Sequence, residues 1–519
     1  MYRKAIQKLL SWKKDIQDNN YPLILTGARQ VGKTWLLKSF GEEYFKKTLY
    51  INFENDTDLS TTLKNTSGSL AVKDLLEKKF NTPITEDTLV IFDEVQLCKE
   101  VFARIKYFTE DILDFHIITA GSLMGIALHK GTSYPSNADT YRIFPLDFEE
   151  FLIALDKKDL VDTIKGLQPI SSSDHAHLLD LYQIYTYIGG MPSVVANYIK
   201  NKDLKQVREN QKKILAMYEQ DFSKYTDAPT SLRLKELWRS IPNQCIRRKG
   251  SKKFNFSIVM DGVKGREYRL PLSWLEDCGL IIPVYQVDEG KKHPLGLYTT
   301  NRVFRLTLLD IGLFSTLLSI FSEKNYFNKN EDTSDIRGIL AEQFVAQELF
   351  STLNQNMIYC WSDNKYEIDF LIENSEEIIP VEVKASNIHT SESMKYFCTK
   401  YNPHYVVFLS SQIPDMNRKK KCIPIYSAQH MQSFINNYPK YIKDYAKDWD
   451  EDDWLEEVSI RGQMLKKVPE KYKTYPVCLT AVRNNANALQ YVPESILSKE
   501  FLIDVLRGKN TIFPYDSSH

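Results

Sequence analysis

The chain has no Cys-x-x-Cys pair. Its seven cysteines (Cys98, Cys245, Cys278, Cys360, Cys398, Cys422 and Cys478) are scattered along 519 residues. That excludes the ligand spacing of a structural zinc site and the framework of a disulfide-stapled domain, and it fits a reducing cytosol. Neither sign of charge is in excess: 67 basic residues face 67 acidic ones. No global field then draws the protein to nucleic acid or membrane, so any nucleic-acid contact must use a local patch. No apolar run is long enough to span a bilayer. The opening segment MYRKAIQKLLSWKKDI has no continuous apolar stretch of signal-peptide length and reads as an amphipathic helix. These absences lead us to expect a cytoplasmic protein without a membrane partner. A composition of 43% hydrophobic and 26% charged residues is that of a globular protein, and the length calls for several domains.

What is present begins with a phosphate cradle. PLILTGARQVGKTWLLKSF reads as strand, Gly-rich loop and helix. Gly27-Ala28-Arg29-Gln30-Val31-Gly32-Lys33-Thr34 matches G-x-x-x-x-G-K-[ST] in full, and Trp35 completes the segment expected to hold a nucleotide. Backbone N–H groups of such a loop bind phosphate oxygens, the lysine sets a positive charge on the β- and γ-phosphates, and the threonine offers a hydroxyl to Mg²⁺. Further strands are expected at Thr48–Phe53 and Leu89–Phe92, the second ending in Asp93-Glu94. At the carboxyl edge of a parallel sheet, Asp93 is placed to hold Mg²⁺ and Glu94 to orient or activate water. FHIITAGS reads as another strand, ending in Thr119 and Ser122. Ser122 is a candidate sensor of the γ-phosphate and equally a helix N-cap. TYRIFPLDFEEFL reads as a last strand leaving into a helix, with Arg142 a candidate trans-acting arginine in an oligomer.

From Phe151 to Asp221 the pattern is helical, broken by YIGGMP at Tyr187–Pro192, a turn suited to lying against another surface. Between SLRLKELWRSIPNQC and LGLYTTNRVFRLTL the strand-like and helical pieces follow the order of a winged helix. They flank the basic run Arg247, Arg248, Lys249, Lys252 and Lys253. That run suits either a phosphate backbone or a solvated loop, and winged helices also dock proteins.

RGILAEQFVAQELFSTL reads as an amphipathic helix carrying Glu342 and Glu348, followed by the strands YEIDFLIE and IIPVEVKAS. Glu382 and Lys384 lie two apart and share a strand face, which Asp369 on the adjacent strand can reach. Two carboxylates and the Val383 carbonyl are a set for Mg²⁺, with Lys384 to activate water and Glu342 to add a carboxylate. A salt-bridged strand pair is the other reading. In the tail, Leu465 and Val468-Pro469-Glu470 recur as Leu489 and Val492-Pro493-Glu494, with a degenerate earlier copy around DDWLEEV. Helical repeats of this length stack on each other, for protein contact or as a cap on a neighbour.

LTGARQVGKT, VIFDEVQ, TAGS, FPLDFEEFL, YIGGMP, LSWLEDCGLI, RGILAEQFVAQEL, EIDFLI and PVEVKAS occur here in one order and spacing. On these stretches residues 1–430 resemble the prokaryotic AAA+-superfamily (DEXX-box-like) ATP-binding proteins, whose uncharacterised C-terminal half ends in a PD-(D/E)XK nuclease-like fold. The tail resembles short bacterial helical repeats of unknown function. The resemblance implies Mg²⁺-ATP binding by Lys33, Thr34, Asp93 and Glu94, ATP hydrolysis, and a nuclease-like role for Glu342, Asp369, Glu382 and Lys384. We therefore expect an α/β multidomain chain. Its parts are a P-loop AAA+-like parallel sheet with helices on both faces (1–155), a helical linker (156–225), a winged helix (226–325), a PD-(D/E)XK-like α/β domain (326–430) and an α-helical repeat tail (431–519). Two uses are open. One is an ATPase coupled to a nuclease acting on nucleic acid, in a mobile-element, defence or repair role. The other is a nucleotide-dependent switch or scaffold whose nuclease fold binds proteins.

Overall fold

The computed structural model of the chain describes every residue except 20, 67, 104, 106–114, 123–137, 167–170, 247–252, 261, 263–264, 319–325, 327–333, 353–356, 364–365, 374–376, 385–390, 413–421, 432, 434–449, 461 and 508–519. Arg247, Arg248, Lys249 and Lys252 of the basic run therefore lie outside the described residues. The chain divides into two compact units. The first takes residues 1–162, 178–283 and 305–354; the second takes 163–177, 284–304 and 355–519.

The first unit opens with α1 (Ala5–Asn19) and then builds a sheet from β1 (Leu23–Thr26), β2 (Lys47–Asn52), β3 (Thr88–Asp93), β4 (His116–Ala120) and β5 (Asp139–Arg142). The order is β2-β3-β4-β1-β5, every pairing is parallel, and β1 sits between β4 and β5. The run TLVIFD of β3 is buried at every position, as a parallel strand covered on both faces must be. Alternation along β4 shows the two faces. Ile117 joins the cluster of Ile51, Phe92, Leu59 and Leu63 of α3 (Thr57–Asn65) and Leu76 of α4 (Ser69–Phe80). His116 instead meets Phe45, which follows α2 (Lys33–Tyr44), and Trp12 of α1.

Past β5 the chain enters α5 (Phe148–Ala154) through a capping box. Asp147 accepts Glu150 N–H at 2.8 Å and Glu150 accepts Asp147 N–H at 3.3 Å. Helices α6 (Lys158–Gly166), α7 (Ser172–Ile188), α8 (Pro192–Asn201), α9 (Leu204–Tyr225), α10 (Ala228–Ile246), α11 (Phe256–Val259) and α12 (Arg269–Asp277) follow. Then come β6 (Ile281–Val287), β7 (Thr299–Leu308), α13 (Ile311–Leu317) and α14 (Ser334–Thr352). Glu348 of α14 is buried and accepts Phe148 N–H at 3.2 Å; burial, with Asp147 near it, pushes its carboxyl above the usual range.

The Gly-Gly break between α7 and α8 is a joint within this unit. Gly190 N–H donates to Asp310 at 2.6 Å and Gly190 C=O accepts Leu146 N–H at 2.7 Å. Asp310 also caps α13 through Leu313 N–H at 2.9 Å, and burial raises its carboxyl to about 6. A Cβ on Gly190 would stand 1.9 Å from the Leu146 carbonyl oxygen.

The second sheet has seven strands, in order β12-β11-β10-β9-β8-β6-β7. It contains β8 (Ile358–Asp363), β9 (Tyr366–Glu373), β10 (Ile378–Val383), β11 (Val407–Ser410) and β12 (Cys422–Pro424), with α15 (Glu392–Tyr401) between β10 and β11. The strands β8, β9 and β10 form an antiparallel meander; β10, β11 and β12 run parallel. Here the winged-helix expectation meets a difference. The pair β6 and β7 follows three helices as a wing would, but β6 pairs in parallel with β8 (Val284 opposite Ile358). The Trp361, Ile368, Phe397 and Tyr401 side chains centre the core of this part.

In the tail, α16 (Glu451–Ile460), α17 (Tyr475–Asn484) and α18 (Lys499–Arg507) start at steps of 24 residues. Short 3₁₀ turns at 462–467 and 486–491 keep the same step. Trp454, Val458, Cys478 and Val482 occupy equivalent positions and join one buried cluster with Leu465 and Val468. Their α18 equivalents, Leu502 and Leu506, are 42% and 70% exposed.

Gly190→Ala is expected to destabilise the first unit by about 1–3 kcal/mol, since the added methyl meets backbone rather than a mobile side chain. Urea denaturation followed by near-UV circular dichroism measures it. An unchanged midpoint would show that the joint carries no strain-sensitive contact.

Candidate functional site: a phosphate cradle at the sheet edge

The loop between β1 and α2 turns through residues of positive φ: Gly27 at 141°, Gln30 at 70° and Gly32 at 92°. Gly27 has no alternative, because a Cβ there would lie 2.4 Å from the Ile143 carbonyl oxygen. The turn aims two carbonyls inward. Lys33 Nζ donates to Gly27 O at 2.8 Å and Ala28 O at 2.9 Å, and the side chain is buried. Burial lowers its ammonium to about 8, against the pull of Glu94 and Asp93.

Thr34 Oγ1 donates to Asp93 Oδ2 at 2.7 Å, joining the start of α2 to the end of β3. Tyr50 OH donates to the same oxygen at 2.8 Å and is pushed up to about 12 by burial, with Asp93 beside it. Glu94 stands in the left-handed region at φ 53°. Its Oε2 accepts Gln96 Nε2 at 2.5 Å and Ser122 Oγ at 3.3 Å. A threonine hydroxyl and two carboxylates at one edge are hard oxygen donors of the kind Mg²⁺ takes together with water and phosphate.

A cleft of about 530 Å³ opens over these groups, lined by Arg29, Lys33, Thr34, Glu94, Ser122 and Pro192 among others. Gln30, Gly32 and Trp35 also line it, while Ala28 and Val31 are buried in the loop. Ser122 therefore faces the cleft through Glu94. Thr119 is fully buried, and its hydroxyl has no partner among the described residues. Arg142 donates to the Glu276 carbonyl at 3.0 Å and lies over Phe144 and Phe350, so it is engaged within its own chain.

The acidic set of the second unit has a different character. Val381 pairs with Phe370, so the antiparallel register sets Glu382 against Asp369. Both carboxylates are buried. Asp369 accepts Val383 N–H at 2.8 Å; Glu382 accepts Lys384 Nζ at 2.7 Å and Ser391 Oγ at 3.2 Å. Glu342 belongs to the first unit, where it takes the Arg305 guanidinium at 3.0 Å. Among the described residues no three His, Cys, Asp or Glu side chains gather as a metal would require, and no helix is long and apolar enough to cross a membrane.

Residues 19–152 match the AAA domain family. Residues 179–324 and 337–428 match two domains of unknown function, DUF8612 and DUF4143. No curated protein matches the chain. Among solved structures it is similar to the Walker-type ATPase PABY2304 of Pyrococcus abyssi, at 17% identity over 61% of this chain and 95% of that one, with a TM-score of 0.38. It is similar to the Aeropyrum pernix Orc1 protein in complex with DNA, at 11% identity over 61% and 91%, with a TM-score of 0.25. Cdc6p from Pyrobaculum aerophilum follows at 13% identity over 61% and 93%, with a TM-score of 0.23. At these scores the likeness carries nothing about what this chain binds. On its own family match, loop and sheet order, the N-terminal part is an AAA-type P-loop ATPase domain.

Reading the residues in order misses four members of the site. Tyr50 on Asp93 and Gln96 on Glu94 are polar residues near strand ends, a signal shared with many solvated positions. Arg3 donates to Val31 O at 2.9 Å and Glu150 at 3.2 Å, and Asp221 takes Arg29 at 2.8 Å. Arg3 stands near the start of the chain and Asp221 far along it, and neither has a motif around it.

Because burial lowers the Lys33 ammonium to about 8, phosphate binding must hold a proton that Lys33 loses as pH rises. Calorimetric affinity for MgATP is expected to fall between about pH 7 and about pH 9.5, with proton uptake on binding near pH 8. Lys33→Arg should flatten the profile. A pH-independent affinity in the unaltered protein would contradict this.

Proposed function

We propose that the chain is a Mg²⁺-dependent ATPase working as a nucleotide-driven switch, acting with nucleic acid or a protein partner. The observation that carries the reading is the Thr34–Asp93 bond, with Lys33 and Glu94 around the same cleft. Lys33 supplies charge toward the β- and γ-phosphates, and loop N–H groups at the start of α2 donate to the phosphate oxygens. Thr34 and Asp93 would hold Mg²⁺, which when bound neutralises phosphate charge. Glu94 positions the attacking water, itself held by Gln96 and Ser122.

The chain order α14, β8, β9, β10, α15, β11 supports reading 326–430 as PD-(D/E)XK-like. Asp369 and Glu382 occupy opposed positions, which suits a nuclease coupled to ATP turnover. Their own contacts favour the other use. Asp369 Oδ2 accepts a backbone N–H, and Glu382 Oε1 accepts from both Lys384 and Ser391. We therefore favour a nuclease-like fold that binds rather than cuts. The helices α10 to α12 support a winged-helix-like docking module, and the 24-residue repeats (431–519) a protein-contact surface.

Phosphate release from MgATP by the full chain tests the core of the reading. Lys33→Ala is expected to reduce turnover by at least about a hundredfold; unchanged turnover would refute it. Incubation with single- and double-stranded DNA and RNA, with Mg²⁺ or Mn²⁺ and with or without ATP, tests the second part. No cleavage is expected. Cleavage abolished by Lys384→Ala would establish the coupled nuclease instead.

A further inference from the structure

We propose that Arg29 is a phosphate sensor. With triphosphate in the cleft, its guanidinium spans the terminal phosphate and Asp221, so that α9 is held to the loop more tightly with ATP than with ADP. This rests on the nucleotide reading of the cleft and goes beyond it. Arg29 occupies a position of G-x-x-x-x-G-K-T where the motif asks for no particular side chain.

Three contacts carry the inference. Arg29 Nη1 donates to Asp221 Oδ1 at 2.8 Å, and Tyr218 OH donates to the Arg29 carbonyl at 2.8 Å. Gln30 Nε2 approaches Met217 Sδ at 3.9 Å. Met217, Tyr218 and Asp221 share one face of α9, so that face grips the loop itself. The pair is asymmetric: the Asp221 side chain is 7% exposed, while that of Arg29 is 33% exposed and lines the cleft beside Lys33 and Glu94. A guanidinium carries five N–H donors in a planar fork, enough for Asp221 and a second anion at once.

The other end of α9 shows what the grip reaches. Arg208 Nη1 donates to Gly312 O at 3.2 Å and Ser315 Oγ at 2.9 Å of α13. Gln211 Nε2 donates to Tyr187 O at 3.0 Å and Ile188 O at 2.8 Å, the last residues before the Gly-Gly turn. A helix of 22 residues thus ties the phosphate loop to the joint that α13 and Asp310 hold.

Calorimetry on the full chain with Mg²⁺ and either a non-hydrolysable ATP analogue or ADP tests this. Arg29→Gln is expected to weaken the analogue about tenfold, the worth of one charge-assisted hydrogen bond, and to leave ADP within about twofold. Hydrogen exchange of the amides of 214–225 supplies a readout that does not depend on turnover. Exchange should be slower with the analogue than with ADP, and that difference should vanish in Arg29→Gln and Asp221→Asn. Arg29→Lys, which keeps the charge without the fork, should recover affinity in part and the exchange difference not at all. Equal weakening of both nucleotides, or an exchange difference that survives Arg29→Gln, would overturn the proposal. If the unaltered protein binds neither nucleotide, the cleft reading itself falls.

Discussion

A buried ammonium group sets the terms for the first unit. Lys33 lies almost out of water, and the carbonyls of Gly27 and Ala28, with the charges of Glu94 and Asp93, stand against the cost of desolvating it. Those carbonyls point inward only because Gly27, Gln30 and Gly32 take up positive φ. A loop in that conformation must be held from outside. Arg3 takes the Val31 carbonyl, Tyr218 takes the Arg29 carbonyl, and the Ile143 backbone closes on Gly27. The first residues of the chain, the last strand of the sheet and a helix some two hundred positions later all converge on one turn. Their common task is to keep a cation where phosphate arrives.

The same economy explains the polar joint behind the site. Gly190 accepts from Leu146 and donates to Asp310, and Asp310 starts α13. A buried carboxylate needs such donors, and a raised carboxyl shows that they do not fully offset its burial. Breaking one partner would leave the others unsatisfied in an apolar setting, which is why the joint is built from backbone groups with little freedom.

The second unit poses the opposite case. Asp369 and Glu382 sit at buried positions of strands that are otherwise apolar in their interiors, and each finds partners close by, in Val383, Lys384 and Ser391. A metal site needs carboxylate oxygens that face one point together. Here Asp369 Oδ2 is turned toward the Val383 N–H and Glu382 Oε1 toward Lys384 and Ser391. Strand alternation predicts which face these residues share; it does not predict where each lone pair is directed.

Much of the nucleotide site can be read from the residues alone, because a phosphate cradle is local. Eight consecutive residues carry the loop, and an apolar strand ending in Asp93-Glu94 carries its partner. The 24-residue step of the tail is legible for the same reason, since each copy repeats its own helix and turn. The winged-helix reading shows the limit. Three helices and two strands follow in the expected order, yet β6 pairs with β8, and side-chain alternation shows which face of a strand is buried without naming the strand beside it. Tyr50, Arg3 and Asp221 were likewise invisible, since each acts on a residue distant in sequence; Gln96 acts on Glu94 two residues away, but no motif marks it. What the sequence by itself determined is the chemistry that one turn of chain can carry: the loop, its lysine and threonine, and the acidic strand end. Only the tertiary structure decided what holds that turn in place and which carboxylates are left to act, because hydrogen bonds between distant segments depend on where the packed elements bring them.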